Sequence, residues 1–202
     1  MQFDSTLFSI LATLTKHKMD YRNYKAESLR MKGFDYSSDG AYFITICSFE
    51  RKNIFGQIKG SQFFESELGK IIKEELLKTD ITRNNMFLGT WVIMPNHLHA
   101  IIYISNSTNI SSYEVAKYTL ILDKFNTFTT QSNNLSSFVR GIKASVTSKA
   151  KNIGIKSVWQ SNFYERIIRN QNELISIENY INENIIKWES DPNYIKMNPL
   201  KT

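Results

Sequence analysis

Alternation of Tyr42, Ile44 and Ile46 against Phe43, Thr45 and Cys47 predicts a strand over residues 41–49. Phe64, Leu68, Ile71, Ile72 and Leu76 recur at helical spacing with charges opposite, which predicts a helix over Glu65–Lys78. Two nearly unbroken apolar runs at 87–94 and 97–104 flank Pro95-Asn96, so they read as two strands joined by a tight turn and running antiparallel. Residues 105–134 are polar and rich in Ser, Asn and Thr; they read as a long excursion with little core, in which Val115–Phe125 could form a short element. Leu135, Phe138, Val139, Ile142 and Val146 then set the inner face of a helix over Leu135–Lys151, and Phe163–Ile168 reads as a strand. A last helix starts at Asn170, a residue suited to an N-cap with an acidic Glu173 three positions on. Its apolar stripe runs through Leu174, Ile177, Ile181, Ile185 and Trp188.

The order β-α-β-β-α-β-α predicts an α+β sandwich: an antiparallel sheet with packed helices, in the manner of the ferredoxin-like or RRM-like split β-α-β arrangement. At 202 residues the chain suits one domain that buries roughly 70% of its unfolded surface. Its 42% hydrophobic content excludes wholesale disorder. The short apolar run near Met1 has an acidic Asp4 where a signal peptide would be basic, and no segment reaches the roughly 18–20 apolar residues of a membrane span. Lone Cys47 cannot form an intramolecular disulfide, which favours a reducing compartment, and a cytoplasmic location with no membrane partner is expected.

Three polar positions change the picture from fold to chemistry. His97 and His99 are one residue apart on a strand, so both imidazoles leave the same face. That geometry makes two legs of a divalent-metal site, and it equally suits two satisfied histidines on a packed sheet face. Tyr180 and Asn184 are four apart on the last helix, one above the other beside its apolar stripe. If that stripe packs on the sheet that carries the histidines, a phenol and an amide oxygen join the two imidazoles. Taken alone, the pair reads as a boundary tyrosine and a solvated asparagine.

These segments resemble the single-tyrosine HUH transposases, the insertion-sequence-200-like group, and within them the REP-associated tyrosine transposases. The resemblance runs from about Leu29 to Asn193 and rests on the order and spacing of several pieces: Gly33-Phe-Asp-Tyr36, Gly40 to Cys47, Arg51-Lys52, Leu88 to Ile102, Phe138 to Lys143, Val158-Trp-Gln160, Phe163 to Asn170, and Tyr180 with Asn184. It implies a domain over residues 29–193, with an N-terminal extension over 1–28 in which Met19 is a candidate natural start, and a C-terminal tail over 194–202. It also implies that His97 and His99 are the HUH pair, Tyr180 the nucleophile and Asn184 the third metal ligand. It further implies a Mg²⁺ or Mn²⁺ cofactor, although isolated imidazoles would also accept Zn²⁺ or Ni²⁺. The implied reaction is cleavage and rejoining of single-stranded DNA next to a hairpin through a 5′-phosphotyrosine, by a bacterial, nucleoid-associated monomer or homodimer. Two positions depart from the group's pattern: Glu183-Asn184-Ile185 stands where Asn-Asn-Pro is frequent, and Arg166 stands where His is frequent.

Charge supports a polyanionic partner without requiring one, since the net charge is +6 and the isoelectric point about 9.3. Arg140, Lys143 and Lys151 form a basic stripe on the predicted 135–151 helix that suits phosphate contact or is a solvated face. Arg169 is a further candidate backbone contact. Trp159, Phe163 and Tyr164 offer rings for stacking unpaired bases or for edge packing. Three rival functions remain open. One is a domesticated hairpin-binding module that no longer cuts. The second is a water-using metal phosphohydrolase, disfavoured by three histidines in all and no clustered carboxylate ligands. The third is a structural zinc domain, which His97, His99 and lone Cys47 do not complete.

Overall fold

The computed structural model describes residues 39–79, 85–105 and 134–194. The expected extension over 1–28, candidate start Met19, the Gly33–Tyr36 segment, nearly all of the 105–134 excursion and the tail beyond Tyr194 lie outside the described residues.

Four strands form the main sheet: β1 (Gly40–Cys47), β4 (Met86–Ile93), β5 (His97–Ile104) and β6 (Tyr164–Ile168), ordered β4-β5-β1-β6 with every neighbouring pair antiparallel. Counting only these four in chain order, the sequence across the sheet is 2-3-1-4, which is the split β-α-β arrangement. The expected α+β sandwich is therefore the observed fold. β1 and β5 occupy the centre, and nearly every residue in them is buried, which accounts for their continuous apolar runs. Their register pairs Cys47 with His97, Thr45 with His99 and Gly40 with Ile104.

Alternate residues of those central strands feed two cores. On one face Tyr42, Ile44, Ile46, Leu98, Ala100 and Ile102 meet α1 (Glu67–Leu77) and α2 (Leu135–Asn152). On the other, Phe43, Ile101 and Tyr103 meet α3 (Gln171–Glu183) through Leu174, Ile177 and Ile181. Fully burying each of those three aliphatic side chains stabilises the fold by about 1.5–3 kcal/mol, enough to seat α3 firmly on the sheet. Odd-numbered residues of β5 face α3, so the histidines and the last helix share a layer.

Three elements differ from the sequence expectation. β1 stops at Cys47 because the chain turns through Phe49–Arg51, where Glu50 and Arg51 take left-handed φ values of 53° and 54°. A hairpin, β2 (Gly56–Lys59) with β3 (Gln62–Glu65), precedes α1 and was not apparent from periodicity. Each of its strands is four residues long, too short for alternation to stand out, and its signal is Gly60-Ser61, with Gly60 at φ 60°. Phe64, assigned to the helix stripe, belongs to β3 and is exposed. Finally, α3 ends at Glu183, so Ile185 and Trp188 continue the apolar stripe only as packing of the following turns.

Candidate metal and tyrosine site

α3 begins as its sequence implies. Asn170 Oδ1 accepts the Glu173 N–H at 2.9 Å, and Glu173 Oε2 accepts the Arg169 N–H at 2.8 Å. Arg166, on the neighbouring edge strand β6, pairs with Glu173 at 2.5 Å and ties the helix start to the sheet. Ten residues after its N-cap, the helix presents Tyr180 to the layer that holds the histidines.

There the side chains converge. His97 Nε2 and His99 Nε2 stand 3.0 Å apart, and Tyr180 Oη lies 3.2 Å from His99 Nε2. The outer nitrogens are both held: His97 Nδ1 donates to Asn96 Oδ1 at 2.8 Å, and His99 Nδ1 meets its cross-strand partner Thr45 Oγ1 at 2.8 Å. Asn96 is fully buried and its amide orientation is fixed, because Nδ2 donates to the carbonyls of Arg51 at 3.1 Å and Asn193 at 2.8 Å. His97 Nε2 therefore carries a lone pair directed inward. Phe43 stacks on His99 with centroids 5.2 Å apart and packs edge-on to Tyr180, which fixes both rings laterally.

Burial sets the electrostatics. Burial and the nearby Arg51 guanidinium draw the His97 pKa down to about 3, and burial followed by its neighbour His97 holds His99 well below its ordinary 6.5. Both imidazoles are neutral at pH 7, the state in which they bind metal. Burial, and then the negative charge of Asp191, push the Tyr180 phenol well above its ordinary value of 10, while Asn184 beside its hydroxyl opposes the shift. The resting tyrosine is a protonated phenol.

Asp191 is the residue that sequence reasoning missed. Its Oδ2 accepts the Tyr180 O–H at 3.2 Å and stands 4.0 Å from His97 Nε2. Donor atoms of His97, His99 and Asp191 all lie within 4.8 Å of one another. A helix read through to Trp188 leaves Asp191 with no assigned place near the domain's C-terminal end; the helix ends at Glu183 and the chain turns back. The one local signal was Asp191-Pro192-Asn193, a turn-forming run, which says that the chain bends but not where it points.

The donor set suits a divalent cation. Asn184, the helix C-cap, is 2% exposed, and its Oδ1 is buried with no hydrogen-bond partner. Two neutral imidazoles and a carboxylate are electron-pair donors gathered within 4.8 Å of one another, and the Asn184 side chain with its orphaned oxygen stands beside the Tyr180 hydroxyl; a cation satisfies such donors and apolar packing does not.

The expected DNA-contacting residues fall elsewhere. Arg140 and Lys151 are exposed on α2 and border an open groove of about 530 Å³ together with Thr147 and Phe163. α2 covers the sheet face opposite Tyr180, so this stripe is separated from the tyrosine by the sheet itself. Lys143 lines the same groove, but its ammonium donates to the carbonyls of Gln160, Ser161 and Asn162 at 2.7–3.2 Å, and burial lowers its pKa to about 8. Trp159 packs against Phe55, and its indole N–H donates to the Lys143 carbonyl at 3.2 Å. Phe163 is likewise partly buried against the α1–α2 core. Arg169 is exposed just ahead of the α3 N-cap. A second groove, of about 830 Å³, borders the histidine side and is lined by Lys59, Lys187, Trp188, Ser190 and Tyr194. The Trp188 ring is 6.0 Å from that of His97. Cys47, paired across strands with His97, is a buried thiol whose pKa burial raises to about 11. Among the described residues no helix is long and apolar enough to cross a membrane.

No protein-family model matches the chain. Among solved structures, a REP-associated tyrosine transposase bound to a REP hairpin superposes with a TM-score of 0.53 at 21% identity, over 81% of this chain and 74% of that one. The likeness extends to the four-stranded antiparallel sheet with its packed helices, and thus to the fold. An uncharacterised protein of Haemophilus influenzae is 38% identical over 172 residues, which is 83% of this chain and 92% of that protein. Identity of that degree over nearly the whole of the relative is decisive for kinship: the chain belongs to the same family as the Haemophilus influenzae protein.

Proposed function

We propose that the chain is a metal-dependent, transposase-like enzyme that cuts and rejoins single-stranded DNA next to hairpins, with Tyr180 as nucleophile. The observation that carries the reading is the 3.2 Å approach of the Tyr180 hydroxyl to His99 Nε2, itself 3.0 Å from His97 Nε2, beside the orphaned Asn184 oxygen. His97, His99 and Asn184 would hold a Mg²⁺ or Mn²⁺ ion, which when bound supplies charge neutralisation at the scissile phosphate. The fold shared with a hairpin-bound tyrosine transposase supports the substrate class.

Each side chain has a part in that chemistry. α3 and Phe43 hold the phenol on one line of approach, so attack does not await a rotamer search. Tyr180 Oη forms a bond to phosphorus, the bond from phosphorus to the 3′-oxygen breaks, and the leaving oxygen takes up a proton to become a free 3′-OH. The phenolic hydrogen has an acceptor in reach, Asp191 Oδ2 at 3.2 Å, whose carboxylate has lone pairs to spare. Because the phenol is protonated at rest, the site is quiescent until positive charge and substrate enter together. A 3′-OH attacking the phosphotyrosine reverses the step and rejoins strands without a nucleotide cofactor. Both imidazoles and the tyrosine come from one chain, so a monomer holds a complete site. Lys59 and Lys187 in the groove beside Trp188 are placed to attract the incoming strand's phosphates.

A labelled strand carrying a hairpin, incubated with protein and Mg²⁺ or Mn²⁺, tests the reading. Transposase chemistry yields a covalent protein–DNA adduct and a free 3′-OH fragment. Tight binding without cleavage would indicate a hairpin-binding module, and cleavage without adduct a hydrolase.

A further inference from the structure

Asp191 lies outside every residue that the histidine and tyrosine motifs imply, yet its carboxylate enters the same buried space. Its side chain is 2% exposed. Among the described residues no Lys or Arg stands within ion-pair distance of it. Its Oδ2 instead faces His97 Nε2 at 4.0 Å and Tyr180 Oη at 3.2 Å. A buried carboxylate without a cation is costly, and such groups are held in place by a partner or a metal.

The backbone around Asp191 is braced to keep it there. Asp191 Oδ1 accepts the Asn193 N–H at 2.6 Å, leaving Oδ2 as the inward oxygen. Asn193 is in turn gripped twice: its carbonyl accepts Asn96 Nδ2 at 2.8 Å, and its Oδ1 accepts Arg51 Nη1 at 2.9 Å. Asn96 is also the residue that fixes His97. One amide therefore sets both an imidazole and the turn that carries the carboxylate, as expected of groups that serve a common centre.

We infer that Asp191 is a fourth protein ligand of the divalent cation, joining His97, His99 and Asn184. The inference rests on the proposed metal site and extends it. A charged oxygen added to the amide oxygen and two imidazoles shifts the site toward hard ions such as Mg²⁺ and Mn²⁺ and away from a purely nitrogen set. It also gives the cation a protein-derived negative charge, so binding does not depend on the DNA phosphate. The Tyr180 hydroxyl, hydrogen-bonded to the same carboxylate, is thereby coupled to occupancy of the site.

The test is Mn²⁺ binding without DNA, read by the electron paramagnetic resonance signal of free Mn²⁺, on full-length wild type, D191N, H97A and E189Q. Asn at 191 keeps the Oδ1 acceptor for the Asn193 N–H and removes the charge, so the fold is expected to persist. The expected result is that D191N and H97A each weaken Mn²⁺ binding by about tenfold or more. E189Q, which lacks a neighbouring exposed carboxylate, should bind as wild type. Wild-type affinity in D191N together with loss in H97A would overturn the inference and leave the two-histidine site standing; Asp191 would then only hold the tyrosine. Absence of bound Mn²⁺ in wild type would overturn both. If D191N does not fold, D191E replaces it: a moved carboxylate must change Mn²⁺ affinity and spectrum, and an unchanged pair of values overturns the inference.

Discussion

The Asn96 side chain makes three hydrogen bonds from a position with no solvent exposure, to His97, Arg51 and Asn193. Truncation to alanine strands a buried imidazole N–H and two carbonyls at once. Asn96→Ala is expected to cost about 3 kcal/mol in a denaturant melt and to weaken Mn²⁺ binding by about tenfold or more as the His97 tautomer is released. Loss of stability with unchanged metal affinity would mean that Asn96 serves only the turn. At this scale the sequence was partly transparent. The one-residue spacing of His97 and His99 placed both on one face because strand geometry admits no other outcome. The four-residue spacing of Tyr180 and Asn184 worked in the same way on α3. Asn96 reads from sequence as a turn residue and Asp191 carries no assigned role there, since the contacts of Asn96 with Arg51 and Asn193, and of Asp191 with His97, span about 45–100 positions and no local pattern encodes them.

Between elements, Glu75, on α1, ties that helix to α2. Its carboxylate accepts from Lys149 at 2.7 Å, Lys78 at 2.8 Å and Ser145 at 2.5 Å. Burial alone would raise its pKa, but these three donors outweigh it and lower the group from 4.5 to about 2. A carboxyl with a depressed folded-state pKa contributes stability that is fully present above the unfolded value. That contribution fades as pH falls from 4.5 toward 2. Glu75→Gln should therefore cost about 1–2 kcal/mol at pH 7, discounted because both lysines are partly exposed. Near pH 2 it should cost little, so melts of wild type and variant across that window are expected to converge. A constant difference would show that shape rather than charge holds the two helices. Long periodic elements such as α1 and α2 were legible from their stripes, whereas the β2–β3 hairpin was not, because four residues per strand give too few repeats of a period-two pattern.

Among the described residues, the α2 basic stripe and the proposed nucleophile Tyr180, with its histidines, lie on opposite faces of the sheet. Lys143 is engaged by three carbonyls, so Lys143→Ala should lower the melting temperature rather than act only on DNA. The clean probe is Arg140→Ala with Lys151→Ala. If both contact phosphates of a single strand, the slope of log affinity against log salt should fall by about 1.4, at 0.7 for each contact, with an unchanged melt. An unchanged slope would make the stripe a solvated face and assign strand binding to the groove beside Trp188. The split β-α-β fold followed from the order of elements, whereas the packing of the tyrosine helix on the histidine face stayed conditional in the sequence and is seen in the contacts of Leu174, Ile177 and Ile181 with the sheet. The claim that binds these scales together is that Tyr180 forms the bond to phosphorus. Its most direct measurement is peptide mass spectrometry of the protein after reaction with a hairpin-bearing single strand and Mn²⁺, run beside Tyr180→Phe with a matched melting curve. A phosphonucleotide mass on the peptide containing Tyr180, absent from the Phe variant along with all cleavage, is the predicted result; cleavage by Tyr180→Phe at the wild-type rate, or an adduct on another residue, would contradict it.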